Sequence, residues 1–198
     1  MSDKRIDSAI FKEEILKRIS VCDEEYEKFL ALWEFRSYKK NEIIQEANRV
    51  AEFSMFVLKG CLRQYIVNAN GDETNIYFAE ERHFIGDLHS MRNKTKSNSG
   101  FQVLEDCELL ILTTANWEQA GVECKWWTEI HLAGFQKWMA ILQQQMAELQ
   151  TLSGEERYLK LLKARPALFQ RVSQHHIASY LGVSPETLSR IRKKIFNV

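Results

Sequence analysis

Residues 173–194 read SQHHIASYLGVSPETLSRIRKK, and the rest of the chain is organised around them. Ile177 and Leu181 stand four apart, the spacing that puts two side chains on one helix face, with small Ala178 between them. Gly182 falls where that helix has to stop, because a left-handed residue costs glycine nothing. Ser184 is placed to cap a second helix, and Pro185 to open it where its missing N–H goes unneeded. In that helix Leu188 and Ile191 pack inward, while Glu186, Thr187, Ser189 and Arg190 point outward. The pattern predicts a helix-turn-helix whose second helix offers polar and basic groups at its N-terminal end, which meets base edges in a major groove. The plainer alternative is a surface helical hairpin with a solvated basic face. The joint spacing of small residue, glycine turn, cap and basic helix favours DNA.

The segment resembles the DNA-binding motif of the Crp–Fnr transcription regulators, most closely at Gly182, Ser184, Glu186, Thr187, Leu188 and Arg190. The resemblance implies phosphate contacts at Ser173, Gln174, Ser184 and Thr187. It implies base reading by Glu186, which can accept from a cytosine amino group, and by Arg190, which can fork onto guanine. Pro185 stands where the family often has arginine; Ser189 and Lys193 complete the expected DNA-facing set. His175 and His176 are open between phosphate contact and ordinary surface positions.

The 198 residues allow one large or two modest domains, and the mix of 45% apolar and 27% charged residues is that of a globular protein. No apolar run approaches a membrane span, and the charged start MSDKRIDSAIFKEEI lacks a signal-peptide core, so a cytoplasmic protein is expected. Net charge is zero but unevenly spread. Residues 151–198 hold nine Lys/Arg against three Asp/Glu, a balance of +6 that residues 1–150 offset. A basic module on an acidic body suits a local phosphate-binding surface. Cys22, Cys61, Cys107 and Cys124 are too scattered for a zinc or iron–sulfur site, and three of them read as small core residues.

From the start, helical spacing covers residues 6–35, with strand signals taking over after Tyr38. Glu42–Gln45, FSMFVLKGCLRQYIV (53–67, broken at Gly60), Asn75–Ala79, Phe101–Leu104 and Cys107–Leu112 read as strands. Asn70-Gly71 signals a tight hairpin in which both residues tolerate positive φ. Residues 84–88 form a glycine turn and 92–100 a polar loop. Many short strands predict a jelly-roll-like β-roll. The resemblance agrees: its sensor half is a cyclic-nucleotide-binding β-roll, matched here at Phe56–Gly60, Gly71 and Phe84–Leu88.

One long helix follows from about Lys125 to Leu152, with Phe135, Trp138, Leu142, Gln145 and Leu149 stepping by threes and fours as a seam. In the family this helix pairs with its twin, which implies a homodimer; packing on its own β-roll alone is the other reading. Ser153 and Glu156 fit a capping box that opens a helix ending before Pro166. The expected α+β architecture is therefore a sensor roll over 1–124, a dimerisation helix over 125–152 and a (winged) helix-turn-helix domain over 153–198, with the completeness of the wing left open.

The resemblance implies an effector pocket at Phe84, Gly86, Asp87, Leu88 and Ser99. The family's cyclic-nucleotide binders have an arginine beside the serine, where this chain has Asn98, so cyclic AMP is not expected and the effector is unidentified. Cofactors are unknown; haem stays open through His83, His89 and His131. No metal set, Ser-His-Asp elbow or glycine-rich phosphate loop points to an enzyme. Expected partners are double-stranded DNA, a second copy, a small-molecule effector and, as the resemblance implies, RNA polymerase. The alternative is a ligand-binding module that acts through protein contacts without DNA. Against it stand four cations at Arg190, Arg192, Lys193 and Lys194.

Overall fold

The computed structural model of the chain describes residues 8–196. Helices α1 (Ala9–Leu16) and α2 (Asp23–Leu30) lead into β1 (Glu34–Tyr38), β2 (Ile43–Gln45), β3 (Arg49–Val50), β4 (Phe53–Lys59), β5 (Leu62–Val67), β6 (Glu73–Ala79) and β7 (Phe84–Ile85). Then come α3 (Leu88–Asn93), β8 (Lys96–Ser97), β9 (Ser99–Val103) and β10 (Cys107–Thr113). Two antiparallel four-stranded sheets, ordered β1-β10-β4-β7 and β2-β9-β5-β6, face each other with β3–β8 as a side pair. This is the expected β-roll. Met55, Val57, Leu62, Phe101, Leu109 and Ile111 fill the space between the sheets.

Several local expectations need correction. The single helix over 6–35 is two helices, and its residues 6 and 7 lie outside the described ones. Its last stretch is β1, each residue of which pairs with β10, from Glu34 opposite Ile111 to Tyr38 opposite Cys107. A ladder of that length outweighs the modest helix propensity of Phe, Ser and Tyr. The hairpin between β5 and β6 is wider than two residues. Asn68 organises it, its side chain accepting N–H bonds from Asn70 and Asp72, and only Gly71 takes positive φ (87°). The polar loop over 92–100 holds the end of α3, all of β8 and the start of β9, because Arg49 and Val50 supply a partner strand.

Helices α4 (Thr114–Glu123) and α5 (Trp127–Thr151) follow the roll. The N-terminal helices and the start of α5 close over one sheet around an aromatic cluster. Phe11 sits 4.9 Å from Phe56 and Phe29 4.7 Å from Trp126, ring centre to ring centre. Then come α6 (Gly154–Ala164), α7 (Leu168–Arg171), α8 (Gln174–Leu181) and α9 (Pro185–Phe196). Ser153 and Glu156 form the expected capping box of α6; the short α7 was not foreseen. Among the described residues no strand follows Thr113, so the wing that the sequence left open has no strand among them. Cys61, Cys107 and Cys124 are buried and Cys22 is exposed, as the apolar runs suggested.

The two halves share a core. Cys61, Phe78 and Leu104 from the roll belong to one apolar cluster with Tyr158, Leu161, Leu168, Ile177 and Leu188 of the helical module. The turn at Gly60 brings this seam together. It has φ 101°, and a Cβ there would run into Cys107 Sγ and lie 2.9 Å from the Asp106 carbonyl. Gly60→Ala should therefore cost about 2 kcal/mol or more, from backbone strain plus a clash that backbone atoms cannot yield to. Urea unfolding of both proteins measures it.

Candidate nucleic-acid interface

Helix α8 begins at Ser173, whose hydroxyl accepts the His176 N–H at 3.3 Å. It ends at Gly182 in the left-handed conformation, φ 64°, with Gly182 N–H bonded to Ser179 O and Val183 N–H to Ala178 O. Those bonds turn the chain sharply while satisfying helix-end carbonyls. Ser184 Oγ then accepts the Thr187 N–H at 3.2 Å and donates to Thr187 Oγ1 at 3.1 Å, capping α9 as expected. Ile177, Ala178, Leu181, Leu188 and Ile191 are buried between the two helices and α6. The helix-turn-helix is complete.

The turn leaves the opposite face in solvent. Ser173, Gln174, His175, Ser184, Pro185, Glu186, Ser189, Arg190 and Lys193 are exposed, and Thr187 is half-buried. Glu186 and Arg190 stand one turn apart, so both project from one side of α9. The Glu186 carboxyl is held below its ordinary range by its own backbone N–H, then by the Ser184 hydroxyl and the nearby Arg190 charge. It is an anion at neutral pH and can only accept. Lys194 is tied to Glu155 at 2.7 Å, and Arg192 lines a small apolar groove of about 150 Å³ inside the module. Arg190, Lys193 and Lys194 all face solvent, Lys194 from within its exposed pair with Glu155.

His175 and His176, alike in sequence, are separated by the structure. His175 is exposed, whereas His176 turns toward β6. Asn75 Nδ2 lies 3.2 Å from His176 Nδ1 and donates to the His176 carbonyl at 3.1 Å, while the Asn75 N–H donates to Ser179 Oγ at 2.9 Å. Asn75 is in turn held by Arg63, which stacks 4.3 Å from the Tyr65 ring. Sequence reasoning missed Asn75, since a polar residue inside an alternating strand reads as solvent-facing.

The expected effector residues are divided between the two sheets: Phe84 lies in β7 of one, with Gly86, Asp87 and Leu88 just after it, and Ser99 lies in β9 of the other. Asp87 caps α3, accepting the Ser90 N–H at 3.0 Å. Gly86 is required: a Cβ would lie 2.9 Å from Ser54 Cβ. Phe84 joins the aromatic cluster, 4.8 Å from Phe56, and Leu88 opens α3. Ser99 is buried, its hydroxyl receiving Gln64 Nε2 at 3.1 Å and its carbonyl Gln45 Nε2 at 3.3 Å. An open cleft of about 420 Å³ between β2 and β4 is lined by Ile44, Gln45, Glu46, Arg49 and Phe53, and by none of the five expected residues. His83, His89 and His131 have separate neighbours: the Glu80 and Glu81 carbonyls, Asn93, and the rings of Trp117 and Trp127.

The α5 seam divides. Phe135 and Trp138 are exposed with rings 6.4 Å apart, and Leu132, Met139 and Met146 widen the apolar surface. Leu142 is half-buried. Gln145 instead donates to Tyr180 Oη of the same chain, while Leu149 stays 53% exposed with only its tip beside Gly182, so the seam's end both touches the helix-turn-helix and faces solvent.

Residues 35–121 match the family model of the cyclic nucleotide-binding domain. Among solved structures, FixK2 from Bradyrhizobium japonicum superposes with TM-score 0.74 at 19% identity, over 83% of this chain and 85% of that one. The c-di-GMP responsive global regulator CLP of Xanthomonas campestris gives 0.73 at 18% identity, over 89% and 92%. The catabolite activator protein of Thermus thermophilus gives 0.57 at 19%, over 93% and 87%. No curated protein matches the sequence. Residues 35–121 are thus similar to the cyclic nucleotide-binding domain, and the chain as a whole has the fold of these three proteins.

Burial pushes His176 down to about 4 from an ordinary 6.5, helped by Arg63 and His175 and opposed by Glu73. A neutral ring can accept from Asn75; a protonated one cannot. Because the folded value lies below the unfolded one, the stability this residue supplies is complete above about pH 6.5 and is lost as pH falls toward about 4. His176→Gln should flatten that part of the wild-type stability profile, measured by urea unfolding across the window.

Proposed function

We propose that this chain is a sequence-specific DNA-binding transcription regulator, acting as a homodimer on an inverted-repeat site under the control of a small-molecule effector. The observation that carries the reading is α9: a helix capped by Ser184, seated by Leu188 and Ile191, with Glu186, Arg190 and Lys193 free to meet DNA. Its N-terminal N–H groups and the Ser184 cap favour a phosphate at the helix start. Arg190 then reaches a base edge on the groove floor. The +6 balance of residues 151–198 adds the sequence-independent attraction such a motif needs.

The dimer reading rests on the exposed apolar side chains of α5, which a parallel copy would cover. The effector does not bind as cyclic AMP does in the family. Asp87 is engaged as a helix cap, Ser99 already receives Gln64, and Asn98 offers no positive charge for a phosphodiester. RNA polymerase remains a partner by family analogy. We assign no enzymatic role and place the protein in the cytoplasm. The protein-contact alternative is disfavoured because it gives the solvent-facing cations of α9 no purpose.

Selection from a random duplex pool tests the reading, and a site with dyad symmetry is expected. Arg190→Ala should cost about 1–3 kcal/mol and relax preference at one base pair per half-site. Thr187→Ala should weaken all sequences alike. An enriched site without dyad symmetry, or full preference retained by Arg190→Ala, counts against it. In solution, Phe135→Glu should turn a dimer into a monomer by light scattering, since charge is not tolerated in an apolar seam. Calorimetry with cyclic AMP should show no micromolar binding.

A further inference from the structure

The helical module is held against the rest of the chain on two sides. It is held from below by α5, through Gln145 and Leu149, and from the side by the roll, through Asn75 and the shared apolar seam. Beside that seam three carboxylates of the roll, Glu80, Glu81 and Glu105, surround two arginines of the module. Arg171 is gripped from two sides. Its guanidinium bonds both oxygens of Glu81 at 2.8 and 2.9 Å, and Glu105 at 2.5 and 3.0 Å. Arg165 bonds Glu80 at 2.6 and 3.0 Å and the Phe78 carbonyl at 3.0 Å. Glu81 is itself fixed by the Gly60 N–H at 2.7 Å. A single exposed ion pair would restrain little. A planar fork that is only 23% exposed and held by carboxylates from two separate turns fixes direction as well as distance.

Such a mount matters to a dimer that reads two half-sites. The grooves repeat about every 34 Å or 10 base pairs, so one base pair more or less shifts the far half-site by about 3.4 Å and rotates it by about 34°. A helix-turn-helix on a loose tether would follow that change; a rigidly mounted one would not. Resting on the DNA-reading dimer proposed above, we propose that Glu80, Glu81 and Glu105, by holding Arg165 and Arg171, set the half-site spacing this protein accepts. They are specificity-determining residues that never touch the DNA.

The test moves the half-sites of the selected operator apart and together by one and two base pairs. The wild type should lose about tenfold or more in affinity per base pair of displacement. Arg171→Gln and the double variant Glu81→Gln/Glu105→Gln should spread binding across all spacings to within about threefold, while affinity for an isolated half-site stays that of the wild type. Arg171→Lys, which keeps charge but loses the fork, should fall between. Cys61 reports the mount directly, being fully buried in the seam. Its alkylation, located by mass spectrometry, should accelerate in the Gln variants. Wild-type half-site binding serves as the folding control, with Arg171→Lys standing in where a Gln variant fails it. Unaltered spacing preference overturns the proposal, whatever Cys61 does, and so does relaxed preference with Cys61 still protected. A wild type that selects no inverted repeat brings down the dimeric reading, and this inference with it.

Discussion

The constraint that orders this molecule is the need to cover the outer face of one sheet. Along β6, Tyr77 points into the roll while Phe78 points away from it, as the two-residue period of a strand requires. Phe78 meets Tyr180 of α8, with ring centres 5.1 Å apart. Burying an aromatic side chain of this size is worth about 1.5–3 kcal/mol, comparable to a whole set of surface ion pairs. The helical module therefore acts as a lid on the sheet, and its place in space follows from strand geometry. Polar contacts at the rim, from Asn75 to Arg171, then select one orientation among those the apolar contact permits.

Much of this was legible in the sequence. The helix-turn-helix could be read almost residue by residue because its signals are local: a glycine needing positive φ, a serine cap, and buried residues at helical spacing. The long helix and the roll's strands were visible for the same reason. What stayed hidden depends on distant partners. Glu34–Tyr38 becomes a strand only because β10 lies beside it, and Lys96–Ser97 only because β3 does. The five-residue hairpin loop was masked by Asn70-Gly71, which mimics a tighter turn that Asn68 pre-empts.

The site was legible in unequal measure. Residues expected to face DNA are exposed, with Thr187 half-buried, since exposure on a short amphipathic helix follows from spacing alone. The effector residues were named by resemblance, and two of their side chains turn out to be engaged: Asp87 in a cap, Ser99 with Gln64. No local pattern announces a hydrogen bond from position 64 to position 99. The split fates of His175 and His176 make the same point, since adjacency in sequence places neighbouring helix residues about 100° apart.

Helix α5 carries obligations on several sides. Trp127 and Ile130 are buried against the N-terminal helices, Ile141 touches the roll, Gln145 and Leu149 engage the helix-turn-helix, and Phe135 and Trp138 face solvent. Those directions are locked together by one backbone with a fixed pitch. Inserting a single residue between Trp138 and Gln145 would turn everything beyond it by about 100° and advance it by about 1.5 Å. The segment should thus tolerate free exchange of its exposed side chains yet resist any change in length, unless the change comes in near-whole turns. In divergence, this helix behaves as a ruler whose markings can be rewritten but whose scale cannot.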